Sequence, residues 1–153
     1  MPKSATLKNL KSRSSHSNSH KVKSGSGYDL VVTLLELLLA VKFYHWRTSS
    51  YSTHKATDEL YGGLNDSIDE FAETLMGALG TRIPAVNKLQ MTIPTDNKQM
   101  SSLIDTANKQ LAAFKFDKLG RDTVTTTDLS NIRDEIVGKL HQTKYLLTLN
   151  GSA

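Results

Sequence analysis

The chain has 153 residues, 38% of them hydrophobic and 22% charged, with a net charge of +4 and no cysteine. That length suits one domain with a continuous core, burying roughly two-thirds of the surface its unfolded chain exposes. The absence of cysteine excludes disulfides, zinc knuckles, thiolate catalysis and iron–sulfur ligation, so a metal bound here is held by imidazole and carboxylate.

The charge is unevenly placed. Residues 1–27 carry Lys3, Lys8, Lys11, Arg13, Lys21 and Lys23 and no acid, while the remainder holds thirteen basic and fifteen acidic residues. Rich in Ser, Lys, Asn and His and ending in Ser24-Gly25-Ser26-Gly27, this segment has too few large apolar groups to repay its ordering entropy. It is expected to be a disordered basic N-terminal arm on a domain spanning 28–153. Its six cations are the expected DNA-binding residues, acting on phosphates, and engaging all of them would give a logarithmic salt slope of roughly −5. No aromatic residue precedes Tyr28 and no base-reading motif appears, so the contact is expected to be non-specific. The arm lacks an apolar segment leading to a small-residue cleavage site, so no secretory signal is expected. The longest apolar run, Leu30 to Val41, is interrupted by Glu36 and is too short to span a bilayer. The expected setting is cytoplasmic, nucleoid- or DNA-associated, with no membrane partner.

Asp29 is the expected N-cap of a first helix running through LVVTLLELLLAVKFYHW to about Thr48. It is apolar on nearly every side, as suits a helix with neighbours around most of its girth. The polar turn Ser49-Ser50-Tyr51-Ser52 leads into a second helix from about Thr53 to Leu79, stopped by Gly80. Leu60, Leu64, Ile68, Phe71, Leu75 and Leu79 form its core stripe, and the short link makes the first two helices antiparallel. Residues 81–95, with Pro84 and Pro94, read as a crossover with room for one short helical turn. Asp96 then caps a third helix to about Phe116, burying Met100, Leu103, Ile104, Ala107, Leu111 and Phe114; Gly120 and the run Thr123 to Thr127 break it. A fourth helix starts at Thr127 or Asp128 and ends near Leu149, with Leu129, Ile132, Ile136, Leu140 and Leu147 inward. The expected fold class is all-α: a ferritin-like four-helix bundle with a long crossover between helices 2 and 3.

The second helix carries the candidate chemistry. On a wheel of about 100° per residue, Asp58, Asp69 and Glu73 lie opposite the stripe centred on Leu64, with His54 at their edge. They form two i, i+4 pairs, His54 with Asp58 and Asp69 with Glu73, and their separation of eleven residues is roughly 16 Å of helix. No single centre spans that distance. A two-fold axis crossing antiparallel copies near Gly62 to Asn65 would set the first pair of one chain against the second pair of the other, giving two identical sites per dimer. His45, near the end of the first helix, can swing over the turn towards His54. Beside such a site Trp46, Tyr44 and Tyr51 are candidates for accepting one-electron oxidising equivalents. Two imidazoles and three carboxylates suit iron as Fe(II), and also Zn(II) or Mn(II). A di-iron site inside one bundle uses Glu-x-x-His motifs, and the chain has none.

At His45-Trp46, His54-x-x-x-Asp58 and Asp69-x-x-x-Glu73, the sequence resembles the Dps family, the DNA-binding proteins from starved cells or miniferritins. The resemblance covers roughly residues 28–80, and the last two helices by pattern only. It implies a dodecameric hollow shell in which Fe(II) is oxidised, preferentially by hydrogen peroxide, and ferric mineral is stored. Carried over by position, His45, His54 and Asp58 come from one chain and Asp69 and Glu73 from its mate, with Glu73 the bridging carboxylate. The His45 to His54 connection and the 81–95 crossover are both shorter than the family pattern. The expected function is therefore a ferroxidase and iron-storage protein with catalytic and metal residues His45, His54, Asp58, Asp69 and Glu73, which also coats DNA. The alternative is a structural DNA-packaging protein on the same helices without iron turnover.

Overall fold

A computed structural model describes residues 27–149. Among them the chain is all-helical, with four α-helices and no strand. Helix α1 spans Tyr28–Arg47, α2 Tyr51–Leu79, α3 Asn97–Ala113 and α4 Thr123–Leu146, with a 3-10 turn, Phe116–Leu119, before the last.

Local chemistry accounts for most of these limits. Ser50 accepts from the Thr53 amide, Asp96 from Gln99 and Asp122 from Thr125, each satisfying a donor that a helix start leaves open. The start of α1 departs from expectation. Its cap is Gly27 rather than Asp29, in the left-handed conformation at φ 84°, and a Cβ there would stand 2.9 Å from a Leu75 methyl. Glycine answers both constraints at once. Asp29 instead lies in the first turn, where its charge complements the helix dipole. Gly80 ends α2 with φ 65°, the left-handed stop its position suggests.

The later helices differ more. Helix α3 stops at Ala113, because Phe114 turns to extended backbone and Phe116 drops into the core against Phe71, ring centroids 6.1 Å apart. The run Thr123 to Thr127 opens α4 rather than breaking the chain. Asp122 accepts from both the amide and the hydroxyl of Thr125, and the Thr126 and Thr127 hydroxyls bond carbonyls one turn back. A good cap outweighs the mild helix penalty of β-branched residues. Those hydrogen bonds to Asp122, the amide first, hold its carboxyl below the usual range. Residues 81–95 contain no helical turn.

Helix α2 packs most extensively against α1 and α4, while α3 lies less intimately on both. The interior is built from Leu34 and Val41, Leu64, Phe71 and Leu75, Met100 and Ile104, and Ile136 and Leu140, all essentially without solvent contact. Each contributes about 1.5–3 kcal/mol by leaving water. One amide joins the helices at the end where α1 stops. Asn97 accepts from the Tyr44 hydroxyl at 2.7 Å and the Thr53 hydroxyl at 3.2 Å, and donates to the Leu147 carbonyl at 2.8 Å. Side chains or carbonyls at the ends of all four helices thus meet at one residue. Burial, with the nearby Asp96 charge second, raises the Tyr44 hydroxyl pKa above its ordinary 10.0. No described helix is long and apolar enough to cross a membrane.

Candidate metal centre

The short link Thr48 to Ser50 lays the end of α1 beside the start of α2. It brings His45, which is 7% exposed, onto His54. Their rings stack with centroids 3.8 Å apart and planes 24° from parallel. Each Nδ1 donates to the other residue's backbone carbonyl, His45 to His54 at 3.0 Å and His54 to His45 at 3.1 Å. A carbonyl only accepts, so both rings carry a proton on Nδ1, and in the neutral ring Nε2 presents a lone pair.

The His45 Nε2 faces Asp58 Oδ1 at 3.7 Å. Two acceptors so placed repel. A cation between them, either a proton on His45 or a metal ion, removes the conflict. Two ligands each about 2.1 Å from a tetrahedrally bound ion stand roughly 3.4 Å apart, close to the gap here. Fixing the tautomer through Nδ1 is also how metal-binding imidazoles are commonly oriented.

Below the rings lies Thr57, fully buried, a residue the motif pattern passes over. Its hydroxyl donates to the Thr53 carbonyl at 2.8 Å and lies 3.4 Å from His45 Nδ1. The available signal is a threonine one turn beyond His54, a small polar residue where the core stripe would allow an apolar one.

The structure therefore brings together His45, His54 and Asp58. Asp69 and Glu73 lie farther along α2, both exposed, beginning roughly 16 Å past Asp58. Among the described residues no group of three or more His, Asp or Glu is placed to hold a metal ion, so His45, His54 and Asp58 do not make such a group by themselves, and the second pair stays apart from them. With Glu59, Asp66 and Glu70 they make the outer face of α2 strongly acidic. Gly62, on that face, has open space around it, whereas the Lys139 side chain crosses Gly63 and donates to Ser67.

The three aromatic candidates separate. Trp46 is 65% exposed and meets Phe43 edge-on, and Tyr51 is 78% exposed at the first residue of α2. Lys42 sits over the rings of Trp46 and Tyr61, at 5.6 and 4.3 Å. Tyr44 is buried, its hydroxyl held by Asn97 of α3, where it ties helices together. Lys3, Lys8, Lys11, Arg13, Lys21 and Lys23 lie outside the described residues.

Residues 45–147 match the model of a family described as "Family of unknown function (DUF5856)". The chain belongs to that family. A further relative is the "Uncharacterized 14.6 kDa protein in mobD-ri intergenic region" of Enterobacteria phage T4, 32% identical over 124 residues, which cover 75% of this chain and 85% of that protein. No solved structure matches the chain. The family match corrects the resemblance to Dps: its residues 45–147 include every one of His45, His54, Asp58, Asp69 and Glu73, so the motif that carried the resemblance sits inside a different family. Acids and histidines at i, i+4 are compatible with any solvated helix face, and such a spacing alone does not distinguish families.

Proposed function

We propose that the protein binds divalent transition metal ions at a site shared between two copies, and that Fe(II) is its oxidisable substrate. The observation that carries this is the stacked His45–His54 pair, with both Nδ1 protons committed to carbonyls and the His45 Nε2 lone pair set against Asp58. On a two-fold axis near Gly62 and Asn65, Asp69 and Glu73 of a second copy complete a nitrogen- and oxygen-ligand set suited to Fe(II), and to Zn(II) or Mn(II) as competitors. Two Fe(II) ions each give up one electron to hydrogen peroxide, whose O–O bond breaks; two protons then complete two water molecules. Trp46 and Tyr51 stand near the rim to absorb stray one-electron oxidation. A ferritin-like bundle, supported by the long link between α2 and α3, is the fold this function would use, with a two-fold dimer as the smallest unit and a dodecamer as the larger assembly.

The test begins with equilibrium dialysis against Co(II) and Zn(II), then anaerobic Fe(II) followed by peroxide. His54→Ala and the double variant Asp69→Asn/Glu73→Gln should each abolish binding and rapid oxidation. Dissociating the two variants, mixing them and reassociating them should restore about a quarter of the sites, because half of the random dimers carry one intact site. Unchanged metal binding in His54→Ala sinks the proposal, and a monomeric mass by light scattering sinks the shared site.

The second part of the reading concerns the arm, whose six cations without an acid support non-specific DNA contact. The alternative, DNA packaging without iron turnover, keeps this part alone. Plasmid retardation by the full chain should be lost in a chain starting at Tyr28; equal shifts at equal salt would remove the arm as the contact.

A further inference from the structure

The crossover between α2 and α3 is longer than its span requires. It leaves α2 beside Tyr28, whose hydroxyl bonds Thr81, and enters α3 at Asn97, which holds the Tyr44 hydroxyl. Tyr28 and Tyr44 stand sixteen residues apart on α1, which is about 24 Å of helix. Thr81 and Asn97 are also sixteen residues apart, but an extended chain of that length reaches roughly 50 Å. About half of the crossover is slack.

One bond gathers that slack at the middle. Glu36 lies halfway between the two tyrosines on α1, and its Oε1 accepts from the Gln90 amide at 2.6 Å. Among the described residues no other hydrogen bond holds residues 82–94. Glu36 is the only acid between Asp29 and Lys42, and the amide it binds gives a charge on that apolar helix its purpose. Apolar burial along it is partial, since Val86, Leu89, Met91 and Ile93 remain 38 to 41% exposed, and each grips less than a fully buried core side chain. Beside the segment, between α1 and α3, lies a half-open groove of about 170 Å³ lined by Leu37, Ala40, Leu103 and Ala107 together with Gln90 and Met91. These are the two helices whose mutual packing is among the less extensive.

We propose that the crossover is a latched strap: the Glu36–Gln90 bond holds its midpoint at the α1–α3 groove, and breaking that bond lets residues 85–93 lift together and widens the groove while the helices stay folded. A charge-assisted hydrogen bond is about twice as strong as a neutral one, and local opening is governed by the few contacts that must break. The strap acts independently of the metal site, which lies on the α1–α2 side.

Amide hydrogen exchange and limited trypsin digestion of the full chain test this. In Glu36→Ala the Gln90 amide, the one hydrogen-bonded amide of residues 82–94 among the described residues, should exchange about tenfold faster or more, with cleavage after Lys88 accelerated in parallel, while amides around Leu64 and Phe71 keep their protection. Glu36→Gln, which retains an acceptor, should fall between. Should Glu36→Ala fail to fold, Gln90→Pro removes the same bond from the donor side, leaves the carboxylate in place, and should also accelerate cleavage after Lys88. Unchanged exchange at the Gln90 amide or unchanged cleavage after Lys88 in Glu36→Ala, or unchanged cleavage after Lys88 in Gln90→Pro, overturns the latch. Equal acceleration through all four helices also overturns it, since the bond would then support the fold rather than the strap.

Discussion

Two pairs of potential ligands sit on one helix with the same i, i+4 spacing, and their surroundings have little in common. His54 and Asp58 stand where α1 ends against α2, so His54 stacks on the buried His45, the two residues share reciprocal carbonyl bonds, and Asp58 faces a defined nitrogen. Asp69 and Glu73 look outward from the C-terminal part of the acidic face, with no ion pair to either among the described residues. Spacing put ligand types in register on both halves of α2; a neighbouring helix preorganised only one of them. A site held on one side and open on the other is what a second copy would complete.

The comparison can be broken outright by removing the scaffold both pairs share. Phe71 is fully buried below the second pair and meets Phe116, so Phe71→Ala should cost about 3–5 kcal/mol in urea unfolding and weaken metal binding at the whole site. A loss below about 1 kcal/mol would mean that the chain closes around the gap.

A sharper test separates the pairs. His45→Ala removes a buried ring and one donor to the His54 carbonyl, which keeps the Thr57 hydroxyl at 3.1 Å, and should destabilise by about 1–3 kcal/mol. Asp69→Asn/Glu73→Gln, on exposed positions, should stay within about 0.5 kcal/mol or raise stability slightly by relieving like-charge repulsion. Equal losses in urea unfolding would erase the distinction between a built half-site and an open one.

The junction behind the first pair gives a further handle. Asn97→Ala should cost about 1–3 kcal/mol and perturb the His45 and His54 ring signals in NMR, whereas signals near Glu73 should hardly move. Tyr44 gives the same junction a pH signature. Because its pKa is raised in the fold, its contribution is fully present below the ordinary 10.0 and is lost as pH rises through the raised value. Stability followed from pH 8 to 11 should therefore fall less steeply in Tyr44→Phe, after correction for its lower starting value.

The smallest effect lies at the start of α4. Asp122 titrates low because Thr125 donates to its carboxylate, so its contribution is present above the ordinary carboxylate range and fades as pH falls through the lowered value. In Asp122→Asn the acid limb of the stability curve should flatten slightly. An unchanged acid limb would show that the α4 cap does not couple to folding.

Periodicity made most of the helices legible. The Leu60, Leu64, Ile68, Phe71, Leu75 stripe and the caps Asp96 and Gly80 appear where their spacing and chemistry place them. The end of α3 and the start of α4 were not legible, because whether Phe114 continues a helix depends on Phe116 reaching the core, and whether five residues rich in threonine form a helix depends on Asp122 capping them. The site divided in the same way. His54 and Asp58 are neighbours by helical geometry alone, but nothing local shows that three residues between α1 and α2 suffice to stack His45 on His54 or to place Thr57 beneath it.

By itself, then, the sequence determined the helical class, the main core stripes and the i, i+4 spacing of the pairs His54/Asp58 and Asp69/Glu73, because helix periodicity and capping act over a few residues. Tertiary structure alone decided which pair is braced, that Asn97 gathers the ends of all four helices, and that Glu36 holds the crossover at its midpoint. Each of those depends on partners nine to fifty-four residues apart in the chain, and only the packing of the core brings such distant groups within hydrogen-bonding distance.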